Sequence, residues 1–169
     1  AANPQLFDNP QTDINSPLGP LTSYRCFEFG ITCDINSRTH VGTRQGCVPR
    51  EDPGALLHPL SRYTAFLSQL KDPGKLVLAA IAGPVTQSAG YSQGYDMAVD
   101  IDEMSQPELQ YSCTTSVDGA VPGIRLRTLV DTFMSPEDIT AGAYSSICSS
   151  DYTPSLASVG NYIRSRLGQ

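Results

Sequence analysis

Apolar residues in the second half of the chain recur at the spacings of helices and strands. Between Leu60 and Leu70 they lie three or four positions apart, which predicts a helix with one apolar face. Asp72-Pro73-Gly74 is expected to end this helix, because proline cannot continue it. The run from Leu76 to Gly83 is continuously apolar, a pattern that predicts a parallel strand buried on both faces.

Two more helices and a second strand are predicted after residue 120. One helix is expected to begin near Pro122 and to carry apolar residues up to Phe133, and a short strand is expected over 143–148. The last helix is predicted to start at Asp151 or Thr153, residue types that favour a helix N-cap. Its apolar stripe consists of Leu156, Val159, Ile163 and Leu167.

The order helix, strand, helix, strand, helix is typical of a doubly wound α/β fold with a parallel sheet. Such a sheet has about five or six strands on average, and only two are predicted here. Too few neighbours would leave unpaired strand edges. We therefore interpret residues 59–169 as part of an α/β domain, with a loop insertion at 84–120 and a sheet whose remainder lies elsewhere.

The rest of the chain is expected to be rich in loops. Residues 1–58 are predicted to form an irregular arm in which Tyr24–Phe29 is a short extended piece. Four dipeptides in this arm favour turns, namely Asn3-Pro4, Asn9-Pro10, Ser16-Pro17 and Gly19-Pro20. Within the 84–120 insertion, a hairpin is predicted from Met97–Ile101 to Leu109–Tyr111.

Charge and hydropathy exclude two classes of partner. The 169 residues include 11 basic and 17 acidic side chains, for a formal net charge of −6. Nucleic acid is not an expected partner, because phosphate binding requires clustered lysine and arginine. The longest apolar run is far shorter than the roughly 20 residues that span a bilayer, so no transmembrane segment is expected.

The cysteine count predicts disulfides and one leftover thiol. The five cysteines are Cys26, Cys33, Cys47, Cys113 and Cys148. Their spacing lacks the close pairs typical of zinc sites, so a disulfide framework and an oxidising compartment are expected. The pairing is not fixed by the spacing, and one cysteine must remain unpaired within the chain.

Several segments resemble one bacterial family. The segments are Gly19–Gly30 (GPLTSYRCFEFG), Pro59–Tyr63 (PLSRY), Leu76–Pro84 (LVLAAIAGP) and Ser145–Cys148 (SSIC), with Asp151-Tyr152 after the last. They are similar to exported bacterial proteins, many of them lipoproteins and best known from myxobacteria, that contain a von Willebrand factor A-like domain.

The resemblance implies that this chain is the C-terminal half of such a domain. In the family the first strand carries Asp-x-Ser-x-Ser, the metal-ion-dependent adhesion site, and that motif does not occur in these 169 residues. Any Mg²⁺ or Ca²⁺ is therefore expected mainly on an absent N-terminal half, with no cofactor in this chain. That half, expected to be a fragment of the same precursor or another chain, would also bring a sixth cysteine. The implied location is extracellular, periplasmic or anchored at the outer membrane through a precursor.

Two groups of residues are candidate sites. Gly90-Tyr91-Ser92-Gln93-Gly94 fits the G-x-S-x-G pattern and resembles the motif of cutinase-type esterases, which makes Ser92 a candidate nucleophile. Both histidines precede Ser92, against the usual triad order, so a surface loop is the favoured interpretation. Asp96, Asp100 and Asp102 are weak candidates for calcium ligands, since the EF-hand spacing is absent.

These observations favour a non-catalytic function. The chain is predicted to be a binding, adhesion or structural module of an exported bacterial protein, completed by an N-terminal half. The alternative is a small secreted serine esterase that uses Ser92.

Overall fold

The computed structural model describes residues 5–8, 13–72 and 75–166, which form a mixed α/β structure. The helices are α1 (Gln5–Asp8), α2 (Ser23–Gly30), α3 (Leu60–Leu70), α4 (Ile124–Phe133), α5 (Pro136–Asp138) and α6 (Thr153–Arg166), with a π-helical turn at Ile139–Ala143. The strands are β1 (Ile31–Thr32), β2 (Gly42–Pro49), β3 (Ala80–Ala82), β4 (Thr86–Gln87), β5 (Tyr95–Ile101), β6 (Pro107–Leu109), β7 (Cys113–Thr114), β8 (Gly119–Ala120) and β9 (Tyr144–Ser146).

The chain folds into two compact units, each built from two separate stretches of sequence. The first unit comprises residues 1–60 and 85–110, and the second comprises residues 61–84 and 111–169.

The first unit contains an antiparallel sheet. Its strands follow the order β1-β2-β5-β4, and β6 also pairs with β5. Tyr95, Met97 and Val99 alternate along β5 and are buried, as expected for a strand with one face on a core. Leu109 on β6 is also buried, so the hairpin of β5 and β6 contributes its apolar face to the core of this unit.

Arginine side chains hold the irregular segments of the first unit. Arg25 is buried, and its guanidinium donates hydrogen bonds to the carbonyl oxygens of Leu6, Gly19 and Pro20. Arg38 donates to three further carbonyls, those of Ile14, Ser16 and Pro17. Each arginine therefore provides donors for backbone acceptors that no strand or helix pairs.

An ion pair anchors the second of these arginines to α2. Arg38 Nε lies 2.7 Å from a carboxylate oxygen of Glu28, and both side chains are largely buried. Arg50 also contacts α2. It donates to the backbone carbonyl of Glu28 at 3.0 Å and forms an ion pair with Asp52 at 2.7 Å. Charge-assisted hydrogen bonds of this kind are stronger than neutral ones, and here they attach loops to the C-terminal half of α2.

The second unit contains a pair of parallel strands. β3 and β9 pair in register from Ala80 opposite Tyr144 to Ala82 opposite Ser146. α4 lies between them in sequence, and α6 follows β9. Val130, Met134 and Ala143 are buried together, and Leu78, Phe133 and Tyr162 are among the side chains packed around them. Ala82 and Ile124 are buried in the same unit as well.

Tyr144 joins the end of β3 to the start of α4. Its hydroxyl donates to the carbonyl of Gly83 at 2.7 Å. Burial raises the pKa of this phenol to about 12, although the neighbouring Arg127 opposes the shift. The phenol therefore keeps its proton, and the hydrogen bond persists across the physiological pH range.

The sheet prediction is correct only in its coarse form, a mixed α/β structure with disulfides. The doubly wound parallel sheet is not what the described strands form, because most of them pair antiparallel. The connections explain the difference. The loops from β4 to β5 and from β5 to β6 are short, and parallel neighbours would require a crossover of a dozen or more residues.

Three local predictions are wrong. Tyr24–Phe29 lies within the helix α2 instead of an extended piece, and the long strand β2 lies in an arm that was predicted to be irregular. Only Ala80–Ala82 of the predicted strand at 76–83 is a strand, and Ile81 is 41% exposed, so the strand is not buried on both faces.

Other local predictions are confirmed. The hairpin of 97–101 and 109–111 corresponds to the antiparallel pair of β5 and β6. The three predicted helices correspond to α3, α4 and α6. Asp151 accepts a hydrogen bond from the Thr153 backbone at the start of α6, as an N-cap does. Pro73, Gly74 and Leu167 lie outside the described residues.

We predict that Arg25→Lys destabilises the protein by about 2–4 kcal/mol, because the compact ammonium of the shorter lysine cannot reproduce the planar fork whose Nε and both terminal nitrogens reach three carbonyl oxygens. Urea denaturation followed by circular dichroism measures the change. Arg164→Lys, at an exposed arginine, is the control and should stay within about 0.5 kcal/mol of the wild type. An equally small change for Arg25→Lys would contradict the structural role given to Arg25.

Candidate functional site

The two disulfides identify the leftover cysteine. Cys33 is bonded to Cys47 in the first unit, and Cys113 to Cys148 in the second. Cys26, on α2, is free and half-buried. Burial raises the pKa of this thiol, although Arg25 opposes the shift. Cys26 is therefore protonated at neutral pH and is a weak nucleophile there.

Ser92 lies in a loop between antiparallel strands. The Gly90–Gly94 segment connects β4 to β5, whereas the elbow of serine esterases connects a strand to a helix. The Ser92 side chain is exposed, and its hydroxyl makes no hydrogen bond with another described residue. Among the described residues, neither His40 nor His58 makes a hydrogen bond with Ser92 through which it could accept the hydroxyl proton.

The serine that the loop buries is Ser88. Its hydroxyl donates to a carboxylate oxygen of Asp96 at 2.6 Å and accepts a hydrogen bond from the backbone of Gly46 at 2.8 Å. These bonds tie the loop to the neighbouring strand β2. Asp96, one of the weak candidates for calcium binding, is therefore used to position the loop.

The other two candidate carboxylates also bond to nearby groups. One oxygen of Asp102 accepts from the backbone of Met104 and Gln106. Asp100 accepts from the Ile101 backbone at 2.8 Å and from the Gln110 side chain at 3.4 Å. Across residues 5–8, 13–72 and 75–166, no group of three or more histidine, cysteine, aspartate or glutamate side chains could hold a metal ion.

The second unit exposes the apolar face of α3. Tyr63, Phe66 and Leu70 lie along that face, and they are 42%, 61% and 54% exposed. Leu60 is the buried residue of the helix, at its first position. A helix of this length is marginal by itself in water, and its stability normally comes from packing of its apolar face.

The stripe predicted on α6 is exposed in part, since Val159 is half-buried. Leu156 and Ile163 are among the exposed large apolar residues, and no side chain of α6 is buried. Ile81, on the parallel strand β3, is also exposed. Most of the exposed large apolar side chains that lie in helices or strands therefore belong to the second unit. We take this unit as the candidate binding region.

The sequence correctly gives the apolar positions of α3 and α6 but assigns them to a core. A helix that packs against its own domain and one that packs against a partner show the same spacing of apolar residues.

Sequence reasoning also missed the burial of Arg44, which lines a cavity in the first unit. A single arginine in a strand gives no sequence signal that it will be buried.

Comparison of the chain with protein-family models, with curated proteins and with solved structures finds no match in any of the three. The resemblance to von Willebrand factor A-like domains therefore remains a prediction. Among the described residues, no helix is long and apolar enough to cross a membrane.

We predict that Gly94→Ala destabilises the protein by about 3 kcal/mol or more. Gly94 has a φ of 106°, and a Cβ there would lie 2.6 Å from the carbonyl carbon of Gly46. Gly90 has a φ of 81° with open space around it, so Gly90→Ala should cost only about 1 kcal/mol. Thermal unfolding of both variants measures the difference. Equal costs would show that Gly94 is not a packing position.

We also predict that a fluorophosphonate probe does not label Ser92 in the folded protein, because the exposed hydroxyl has no base to activate it. Intact mass spectrometry of the wild type and of Ser92→Ala should give the same result. Stoichiometric labelling that Ser92→Ala abolishes would revive the esterase alternative.

Proposed function

We propose that this chain is a non-catalytic binding or structural module of an exported bacterial protein, and that its second unit docks a further polypeptide. The observation that carries the proposal is the uncovered apolar face of α3, formed by Tyr63, Phe66 and Leu70. Contiguous apolar surface on a soluble protein commonly marks an interaction site.

The parallel strands support the same proposal. β3 and β9 form a pair of three residues each, and each has one partner strand among the described residues. Parallel sheets occur almost only where both faces are covered, and a pair of strands is marginally stable alone. Additional strands from a partner would cover Ile81 and extend this pair into a larger sheet.

The proposed partner is the N-terminal half of a von Willebrand factor A-like domain. With that half, the β3–α4–β9–α6 segment would be the last part of a doubly wound parallel sheet. The adhesion-type metal site, with Mg²⁺ or Ca²⁺, would lie on the absent half.

The disulfides support export. Two bonds, Cys33–Cys47 and Cys113–Cys148, form and persist in an oxidising compartment. Cys26 is the thiol left for a link to the partner's expected cysteine. Because it is half-buried and its pKa is raised, a link through it would form slowly and would be protected once formed.

Native mass spectrometry of the protein from the exporting host, with and without reductant, tests the proposal. We expect an additional polypeptide of domain-fragment size, roughly 100–200 residues, that matches the N-terminal half in sequence. Release only after reduction would assign the link to Cys26. A monomer of 18.1 kDa in both conditions would contradict the proposed partner.

We predict that Phe66→Asp abolishes association with that partner but changes the unfolding free energy of the isolated chain by less than about 0.5 kcal/mol. An exposed side chain has little packing to lose, whereas a buried phenylalanine would cost about 3–5 kcal/mol. Ser68→Asp adds the same charge at a polar position of α3 and should leave association intact. Destabilisation of the isolated chain by 3 kcal/mol would show that this chain itself covers the face.

A further inference from the structure

The outer side of α6 carries an apolar stripe that is exposed to solvent. Leu156 is 60% exposed and Ile163 is 43% exposed, and two helical turns separate them on the same side of the helix. The other side of α6, with Val159 and Tyr162, lines a small cavity together with residues 77–79. α6 therefore packs against its own unit with one side and leaves the stripe uncovered on the other.

Gly160 lies between the two exposed side chains of the stripe. It follows Leu156 by four positions and precedes Ile163 by three, the spacings of neighbours on one helix face. A Cβ at this position would meet no atom of the surrounding structure within 4 Å, so packing among the described residues does not require glycine there. Glycine also destabilises the interior of a helix relative to alanine. Close approach of a neighbouring backbone from outside the chain would account for it.

The two ends of α6 carry opposite charges. Asp151 precedes the helix, and its exposed carboxylate accepts a hydrogen bond from the Thr153 backbone. This bond lowers the pKa of the Asp151 carboxyl, so the group is ionised at neutral pH. At the other end, Arg164 donates to the Asn161 side chain at 2.9 Å and forms no ion pair with a described carboxylate. Residues 153–166 include no acidic side chain.

The stripe is complementary to itself when two such helices run antiparallel. A two-fold axis at Gly160 would place Leu156 of one copy beside Ile163 of the second copy, and the reverse. The same axis would bring Arg164 toward the end of the second helix at which Asp151 lies, with the two helix dipoles opposed. A parallel pair would instead bring the two Arg164 side chains together. The charges therefore favour the antiparallel pair.

We propose that this chain forms a symmetric dimer in which α6 packs antiparallel against α6 of a second copy, with closest contact at Gly160. The contact would bury Leu156 and Ile163, and burial of apolar side chains is favourable. One helix from each copy is a small interface beside the roughly 1,200–2,000 Å² of a stable complex, so the dimer is weak and reversible. This surface is separate from α3 and Ile81, which the proposed function assigns to another polypeptide.

Sedimentation equilibrium of the intact chain, at protein concentrations from about 1 µM to 1 mM, tests the dimer. We expect the average mass to rise from 18.1 kDa toward twice that value. Association that stays at the monomer mass at every concentration would overturn the proposal and leave the stripe to a different polypeptide.

Two leucine variants test the contact at Gly160. Gly160→Leu should raise the dissociation constant about tenfold or more, because the larger side chain blocks close approach of the helices. Its thermal midpoint should equal or exceed that of the wild type, since leucine favours a helix. Ser165→Leu adds the same side chain at an exposed position outside the stripe and should dimerise as the wild type does. Unchanged dimerisation of Gly160→Leu would overturn the proposed contact.

Charge variants test the orientation of the two helices. Arg164→Gln and Asp151→Asn each remove one charge, and asparagine still suits an N-cap. Each should raise the dissociation constant about two- to fivefold, and the double variant should be little weaker than either single one. Tighter association of Arg164→Gln would indicate a parallel pair and overturn the antiparallel one. Phe66→Asp should dimerise as the wild type does, so that this dimer and docking on α3 fail or succeed separately.

Discussion

The organisation of the first unit depends on hydrogen bonds from arginine guanidinium groups to backbone carbonyl oxygens. The backbone carbonyl oxygens of a loop are not paired by the hydrogen bonds of a strand or a helix. Each of them requires another donor when it is buried. Arg25 and Arg38 serve the segments before α2, and Arg44 serves the segment between β1 and β2. A planar group with five donors suits this role better than any other side chain. The same solution leaves Arg44 without an ion pair among the described residues.

The second unit differs from the first in that many of its apolar side chains on helices and strands are exposed to solvent. Its described core is small, and it leaves α3, α6 and Ile81 exposed. The Cys113–Cys148 disulfide restricts the unfolded chain and so compensates in part for the small core. Docking of a partner would supply the remaining burial, which is why we propose recognition of a further polypeptide for this unit.

The sequence predicted the elements whose signals are local. The helices α3, α4 and α6 have periodic apolar residues, and the β5–β6 hairpin has apolar runs around a polar turn. Prediction from the sequence failed for elements whose conformation is set by tertiary contacts. Aromatic residues in Ser23–Gly30 favour a strand, but hydrogen bonds from Arg25 and the burial of Tyr24 fix a helix. β2 has little alternation, and its pairing with β5 and the Cys33–Cys47 bond hold it. The burial of Arg44 has no local signal at all.

The interleaving of the two units along the chain has a consequence for biosynthesis. Residues 85–110, which contain the central strand of the antiparallel sheet, are translated after residues 61–84 of the other unit. Neither unit can therefore finish folding as its first stretch leaves the ribosome or an export channel. β2 in particular cannot pair with β5 until residues 95–101 have been made. Completion of each unit is therefore coupled to the synthesis of both of its stretches.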